Sequence, residues 1–114
     1  FCFSFSEKTF NNRPNGLRKD VAEMLVGLKP AFFRWPGGCV VEGITLNNRF
    51  EWKKTLGDPA ARPGEYSTRG YRCSYGFGYY EMLQFCEDIG AKAMFVCNVG
   101  LGCQFRMGDA CPED

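Results

Sequence analysis

Residues 93–99, Ala-Met-Phe-Val-Cys-Asn-Val, are apolar at every position except Asn98. A strand with one wet face alternates apolar and polar side chains. An unbroken apolar run expects cover on both faces, the condition of a central strand in a parallel sheet. A second short run, 31–35 (Ala-Phe-Phe-Arg-Trp), reads the same way, with Arg34 needing a carboxylate partner or an exit to water. An amphipathic pattern precedes each run. Leu17, Val21, Met24, Leu25 and Leu28 recur at spacings of three and four and predict a helix over 17–28. Asn15 or Gly16 would cap it, and Pro30 would stop it. Tyr79, Met82, Leu83, Phe85, Cys86 and Ile89 predict a second helix over 79–89, closed by Gly90. Helix, strand, helix, strand with short helix-to-strand links is an α/β order with parallel strands. In such folds the sites gather at the carboxyl ends of the strands, so the loops after Trp35 and after Val99 should share one face.

The remainder is loop. Residues 36–77 are rich in Gly, Pro, Asn, Arg and aromatics, including Trp52, Tyr66, Tyr71 and Tyr75. Loops this long within a compact domain are uncommon and often functional. Residues 1–5 alternate Phe with Cys and Ser and read as a strand. Pro112, Glu113 and Asp114 read as the first turn of a further helix. At 114 residues the chain is too short for a complete eight-unit α/β barrel, which takes roughly 200–250. A chain that begins at Phe1 and breaks off as a helix starts is expected to be a piece of something longer.

Composition excludes several classes. Lys and Arg number 14 against 13 Asp and Glu, without the basic excess of a nucleic-acid binder. No run of about 18 apolar residues would span a membrane. The absence of histidine removes His-based acid–base chemistry and His-ligated metal. Seven cysteines, at 2, 39, 73, 86, 97, 103 and 111, include no C-x-x-C pair, so zinc-ribbon and thioredoxin readings are weak and small buried thiols are expected. Gly76-Phe77-Gly78 opens a helix, but Glu81 stands where a dinucleotide-binding turn needs its third glycine.

Strand-end residues are the better candidates. Cys39 follows Gly37-Gly38, where bare backbone lets a ligand come close, so its thiol either contacts a substrate or fills a small space. Asn98 offers a donor and an acceptor at the mouth of the sheet, for a ligand or for anchoring a loop. Glu42 is a single loop carboxylate, open to acid–base work or to a solvated or Arg-paired state. The loop aromatics suit sugar stacking and loop packing equally.

Several stretches together resemble the α-L-arabinofuranosidases of glycoside hydrolase family 51. They are Asn15-Gly16-Leu17-Arg18-Lys19-Asp20, Phe33-Arg34-Trp35-Pro36-Gly37-Gly38-Cys39-Val40-Val41-Glu42-Gly43, and Tyr80-Glu81-Met82-Leu83-Gln84-Phe85-Cys86-Glu87-Asp88-Ile89-Gly90-Ala91. Trp52-Lys53-Lys54-Thr55-Leu56-Gly57, Arg62-Pro63-Gly64 and Val96-Cys97-Asn98-Val99-Gly100 add to them. The resemblance implies an incomplete (β/α)8 catalytic domain over 11–114, of about two strands and two helices plus a long strand-to-helix loop. Residues 1–10 would be the tail of a preceding β-sandwich. It implies a retaining, exo-acting parent enzyme that removes terminal arabinofuranose from arabinan or arabinoxylan with two glutamates. The family's acid/base Glu follows an Asn, and no Asn-Glu pair occurs here, since Val99 follows Asn98. Neither catalytic carboxylate falls in this chain, and Glu42 and Glu81 do not substitute for them. The substrate contacts carried over are Cys39 and, beside it, Asn98; Trp35 and Glu42 carry no assigned contact. The implied partner is an arabinose-containing polysaccharide or oligosaccharide, with no cofactor, metal, nucleic acid or membrane, and a homo-oligomeric parent is left open. A non-catalytic carbohydrate-binding α/β module is the alternative, and the compartment is not specified.

Overall fold

The computed structural model describes residues 8–103 and Phe105. The strand expected over 1–5 and the helix start at 112–114 lie outside the described residues. Two helices and two parallel strands carry the fold: α1 (Lys19–Gly27), β1 (Phe32–Trp35), a one-turn α2 (Cys39–Glu42), the short strands β2 (Glu65–Tyr66) and β3 (Arg72–Cys73), α3 (Tyr79–Ile89) and β4 (Lys92–Phe95). β1 and β4 pair in parallel with Phe32 opposite Lys92 and Trp35 opposite Phe95. The ladder extends one bond further, from Val96 N–H to Trp35 carbonyl oxygen at 3.0 Å. β2 and β3 form a separate antiparallel pair. The long segment after β1 is therefore more ordered than its composition suggests: α2, that hairpin and three 3-10 turns punctuate it.

α1 begins later than the apolar spacing predicts. Leu17 is buried but lies ahead of the helix, and Arg18 is the N-cap residue without a side-chain cap. Asn15 does not cap α1, because its side chain serves the other helix. Its Nδ2 donates to the Gly76 carbonyl at 2.7 Å and to the Glu81 carboxylate at 3.0 Å, from a backbone at φ 54°. α3 matches its expected limits, and Gly90 closes it in the left-handed region at φ 70°, where a missing Cβ removes the steric cost.

The core sits between the helices and one side of the strand pair. Leu17, Ala22 and Phe85 are buried together, with Phe10, Leu25, Phe33, Phe77 and Ile89 against them. Phe85 takes Phe10 and Phe33 edge-on, at centroid distances of 6.0 and 5.7 Å. Met82 is fully buried. The expectation that 93–99 would be covered on both faces is not met within this chain. β4 ends at Phe95, short of the expected 99, and is exposed along most of its length, with Met94 at 48%; Val99, beyond its end, stands at 84%, and Phe32 of β1 at 56%. The reason is geometric: α3 packs on one side of the two strands, with α1 joined to the same core cluster, and no described element covers the other side. Arg34 takes the exit to water rather than a carboxylate; it is exposed, with its guanidinium folded against Gly37.

Arg13 ties the segment before α1 to the end of α3. Its guanidinium donates twice to Asp88, from Nη2 at 2.8 Å and from Nε at 3.2 Å. The hydrogen bond from Arg13 is the main reason the Asp88 carboxyl lies below the usual carboxylate range. A carboxyl depressed by folding stabilises the fold above its unfolded value, about 3.9, and that contribution disappears as pH falls through the folded value. Asp88→Asn should therefore flatten the acid limb of a stability-against-pH curve measured by urea midpoint. Equal acid limbs in the two chains would show that the pair contributes nothing.

Candidate functional site

The carboxyl ends of β1 and β4 bring together the two loops that the sequence singles out. After β1 the chain turns through a cis Trp35–Pro36 bond and two positive-φ glycines, Gly37 and Gly38, into α2. Cys39 is thus the first residue of a helical turn rather than a loop residue, and its side chain is half-buried. Gly43 ends the turn at φ 71° and ψ 178°, a conformation open essentially to glycine alone. A Cβ there would lie 2.4 Å from the Asn48 carbonyl oxygen.

Asn98 sits at the end of the second run and bridges the two loops. Its Nδ2 donates to the Val41 carbonyl of α2 at 3.0 Å and to the Leu101 carbonyl at 2.8 Å, while its Oδ1 accepts the Gly100 N–H at 2.7 Å. Both amide donors are therefore engaged in holding the loop wall, and Oδ1 keeps a second lone pair. The loop then passes beneath α2, where Cys103 N–H donates to the Gly43 carbonyl at 3.2 Å. As a result Cys103, only 2% exposed, lies with Cys39 and Glu42: the Sγ atoms and a Glu42 carboxylate oxygen are all within 4.8 Å of one another. Cys39, Cys73, Cys86, Cys97 and Cys103 carry no disulfide. Nothing in the spacing of 39, 42 and 103 signals this meeting; it follows from strand adjacency and the Asn98 bridge.

Beside α2 lies an aromatic floor. Trp35 meets Phe50 and Phe77 edge-on at 5.3 and 5.4 Å and Phe95 at 6.1 Å, and Phe50 in turn meets Tyr75. Trp35, Val40, Phe50, Glu65, Tyr71 and Tyr75 line a cleft of ≈ 520 Å³. Tyr75 Oη donates to Glu65 at 2.8 Å. Burial pushes the Glu65 carboxyl up, against the opposing effect of that bond. The Tyr75 hydroxyl is also pushed up, first by burial and then by its bond to Glu65. The loop aromatics thus divide. Trp35, Phe50 and Tyr75 are packed, whereas Tyr66 and Tyr71 remain more than half exposed.

The other strong electrostatic feature is structural. Arg62 Nη2 and Glu81 Oε1 lie 2.7 Å apart with side-chain exposures of 2% and 6%. The Glu81 carboxylate also accepts the Gly78 N–H at 3.0 Å, capping α3. Arg62 donates further to the carbonyls of Gly57 and Tyr75, each at 2.8 Å. The Glu81 carboxylate is thus taken up by Arg62, Asn15 and the start of α3. The sequence signal was present in Glu81, three residues after the cap position, where a reciprocal capping carboxylate belongs.

This architecture matches known proteins along most of its length. The family model described as the Alpha-L-arabinofuranosidase 1 domain matches residues 24–114. An extracellular exo-α-L-arabinofuranosidase of Streptomyces chartreusis is 42% identical over 101 residues, covering 79% of this chain and 12% of that protein. α-L-Arabinofuranosidase 1 of Arabidopsis thaliana is 42% identical over 91 residues, covering 79% of this chain and 13% of the plant protein. Among solved structures, an arabinose-bound GH51 α-L-arabinofuranosidase superposes with a TM-score of 0.75 at 46% identity, over 77% of this chain and 14% of its own. The arabinose complex of the Thermotoga maritima enzyme superposes with a TM-score of 0.69 at 27% identity, over 91% of this chain and 20% of its own. The chain spans only about an eighth of the two named sequence relatives. With a family model matching residues 24–114 and a superposition at 46% identity on a solved GH51 enzyme, the chain belongs to the α-L-arabinofuranosidases of glycoside hydrolase family 51.

Proposed function

We propose that this chain is part of a retaining, exo-acting α-L-arabinofuranosidase that hydrolyses terminal arabinofuranosyl residues of arabinan or arabinoxylan. Residues 11–114 form an early part of its (β/α)8 barrel, and 1–10 the tail of a β-sandwich. The observation that carries this reading is the joined pair of strand-end loops, Cys39 on one and Asn98 on the other, in a frame similar to that of an arabinose-bound enzyme. The Cys39 thiol, half-buried at the loop junction, donates or accepts a weak hydrogen bond to a ring hydroxyl. Asn98 faces the same pocket through its second Oδ1 lone pair while its amide group holds the wall.

A retaining mechanism needs two carboxylates about 5–5.5 Å apart, one as nucleophile and one as acid/base. Glu81 is committed to Arg62 and to the α3 cap, and Glu42 lies against two thiols. These contacts support the reading that the catalytic pair belongs to other parts of the enzyme and that this chain supplies substrate-side wall. The isolated chain should release no arabinose from an aryl α-L-arabinofuranoside; measurable turnover would overturn the assignment. In the longer protein that contains it, Cys39→Ala should raise KM for that substrate about 2–10-fold, the worth of one modest hydrogen bond, with a smaller change in kcat. An unchanged KM would remove Cys39 from the sugar pocket.

A further inference from the structure

We propose that Cys39, Glu42 and Cys103 form a zinc-binding site at the junction of the two strand-end loops. The three ligand atoms come from two segments about sixty residues apart in sequence, yet all lie within 4.8 Å of one another. Zinc bonds to sulfur at about 2.3 Å and to carboxylate oxygen at about 2.0–2.2 Å, so tetrahedral ligands stand about 3.5–3.8 Å apart. Closing the observed separations to that value takes about 1 Å of side-chain movement at most. Two thiolates select a borderline-soft cation over calcium or magnesium, which take oxygen ligands. Three protein ligands leave one tetrahedral position for water or another oxygen ligand.

The surroundings hold this geometry. Cys103 lies on the closed side, 2% exposed, and Cys39 and Glu42 on the half-open side, so an ion has both an enclosed wall and a path in. The Cys103 N–H to Gly43 carbonyl bond and the Gly43 N–H to Cys39 carbonyl bond, 3.2 and 2.9 Å, fix the two thiol-bearing backbones to one glycine. The Asn98 amide fastens the second loop to α2 between them. Binding converts two thiols to thiolates and releases their protons to solvent, so retention weakens as pH falls.

The test is zinc retention by the whole chain against a competing chelator, together with X-ray absorption at the zinc edge. The expected result is a bound ion with two sulfur neighbours at about 2.3 Å and the remainder oxygen. Cys39→Ser and Cys103→Ser should each weaken retention by more than the ~10–100-fold that loss of an outer-shell partner costs, and Asn98→Ala, which loosens the loop without touching a ligand, by less. Cys97→Ser, at an exposed thiol outside the ligand group, should change nothing. If Cys103→Ser does not fold, the wild-type absorption spectrum and Cys39→Ser decide the matter. No retention by the wild type, a shell without two sulfurs, retention unaffected in Cys39→Ser, or retention lost in Cys97→Ser would each overturn the site. A bound ion would hold Cys39 as a thiolate and leave it only as an acceptor toward a sugar hydroxyl, whereas failure to retain metal leaves the sugar assignment of Cys39 standing as proposed.

Discussion

Glu81→Ala should cost about 3–5 kcal/mol of folding stability, the usual cost of removing one partner of a buried ion pair. The expected size follows from what the truncation strands. Arg62, 2% exposed, would keep its charge without its carboxylate, and the Gly78 and Asn15 donors would lose their acceptor together. These groups join the start of α3, the segment before α1 and the long loop, so the damage reaches three parts of the fold. Complete folded domains are stable by only roughly 5–15 kcal/mol, so a change of this size is large on that scale. The check is the urea midpoint with the slope held in view. Arg62→Ala should show a loss of similar size, and the double variant should lose much less than the sum, because both singles break one network. Additive losses would mean that the pair does not act as a unit, and a midpoint unmoved in Glu81→Ala would sink the argument altogether.

The second large effect is expected at Gly43→Ala. The residue combines φ 71°, ψ 178° with a backbone oxygen 2.4 Å from where a Cβ would stand. A non-glycine residue in that conformation costs about 1–3 kcal/mol before any clash. The obstructing atom is the Asn48 carbonyl, which cannot swing away as a side-chain tip would. The consequence should be local as well as global, since Gly43 also receives the Cys103 N–H and ends the turn that presents Cys39. Amide hydrogen exchange should therefore quicken over residues 39–50 and 98–103 more than over α3. Gly57→Ala is the useful contrast. Its φ is also positive, at 82°, but no atom lies within 4 Å of its Cβ position. It should cost only the backbone strain. Equal losses at the two positions would show that the Asn48 contact is relieved cheaply.

Much of the frame was legible in the residues. The apolar spacing of Tyr79 to Ile89 with Gly90 behind it located α3 to the residue, because helix period and a left-handed cap are local properties. β1 was likewise legible as a short run stopped by Pro36. The start of α1 was misplaced by two residues, because Leu17 is apolar for the sake of the core and not of the helix, and because Asn15 spends its side chain on α3. The loop between β1 and α3 was legible as important but not as structured. Its order rests on Arg62 and Thr55, whose partners are distant in sequence; Thr55 Oγ1 takes the Tyr79 N–H at 3.0 Å.

The sequence by itself determined the α/β order, the parallel sense implied by short helix-to-strand links, and the family, through residues that keep their spacing whether or not the chain is folded. Its apolar run over 93–99 also led to an expectation of cover on both faces that the described residues do not meet. Only the tertiary structure decided which polar groups meet. Asn98 holds α2 to the following loop, Glu81 is consumed by Arg62 and the α3 cap, and Cys103 arrives beside Cys39 and Glu42. The physical reason is range. Periodicity and capping act within a few residues, whereas hydrogen bonds and ion pairs join whatever atoms the strand register brings within about 3 Å, however far apart they lie along the chain.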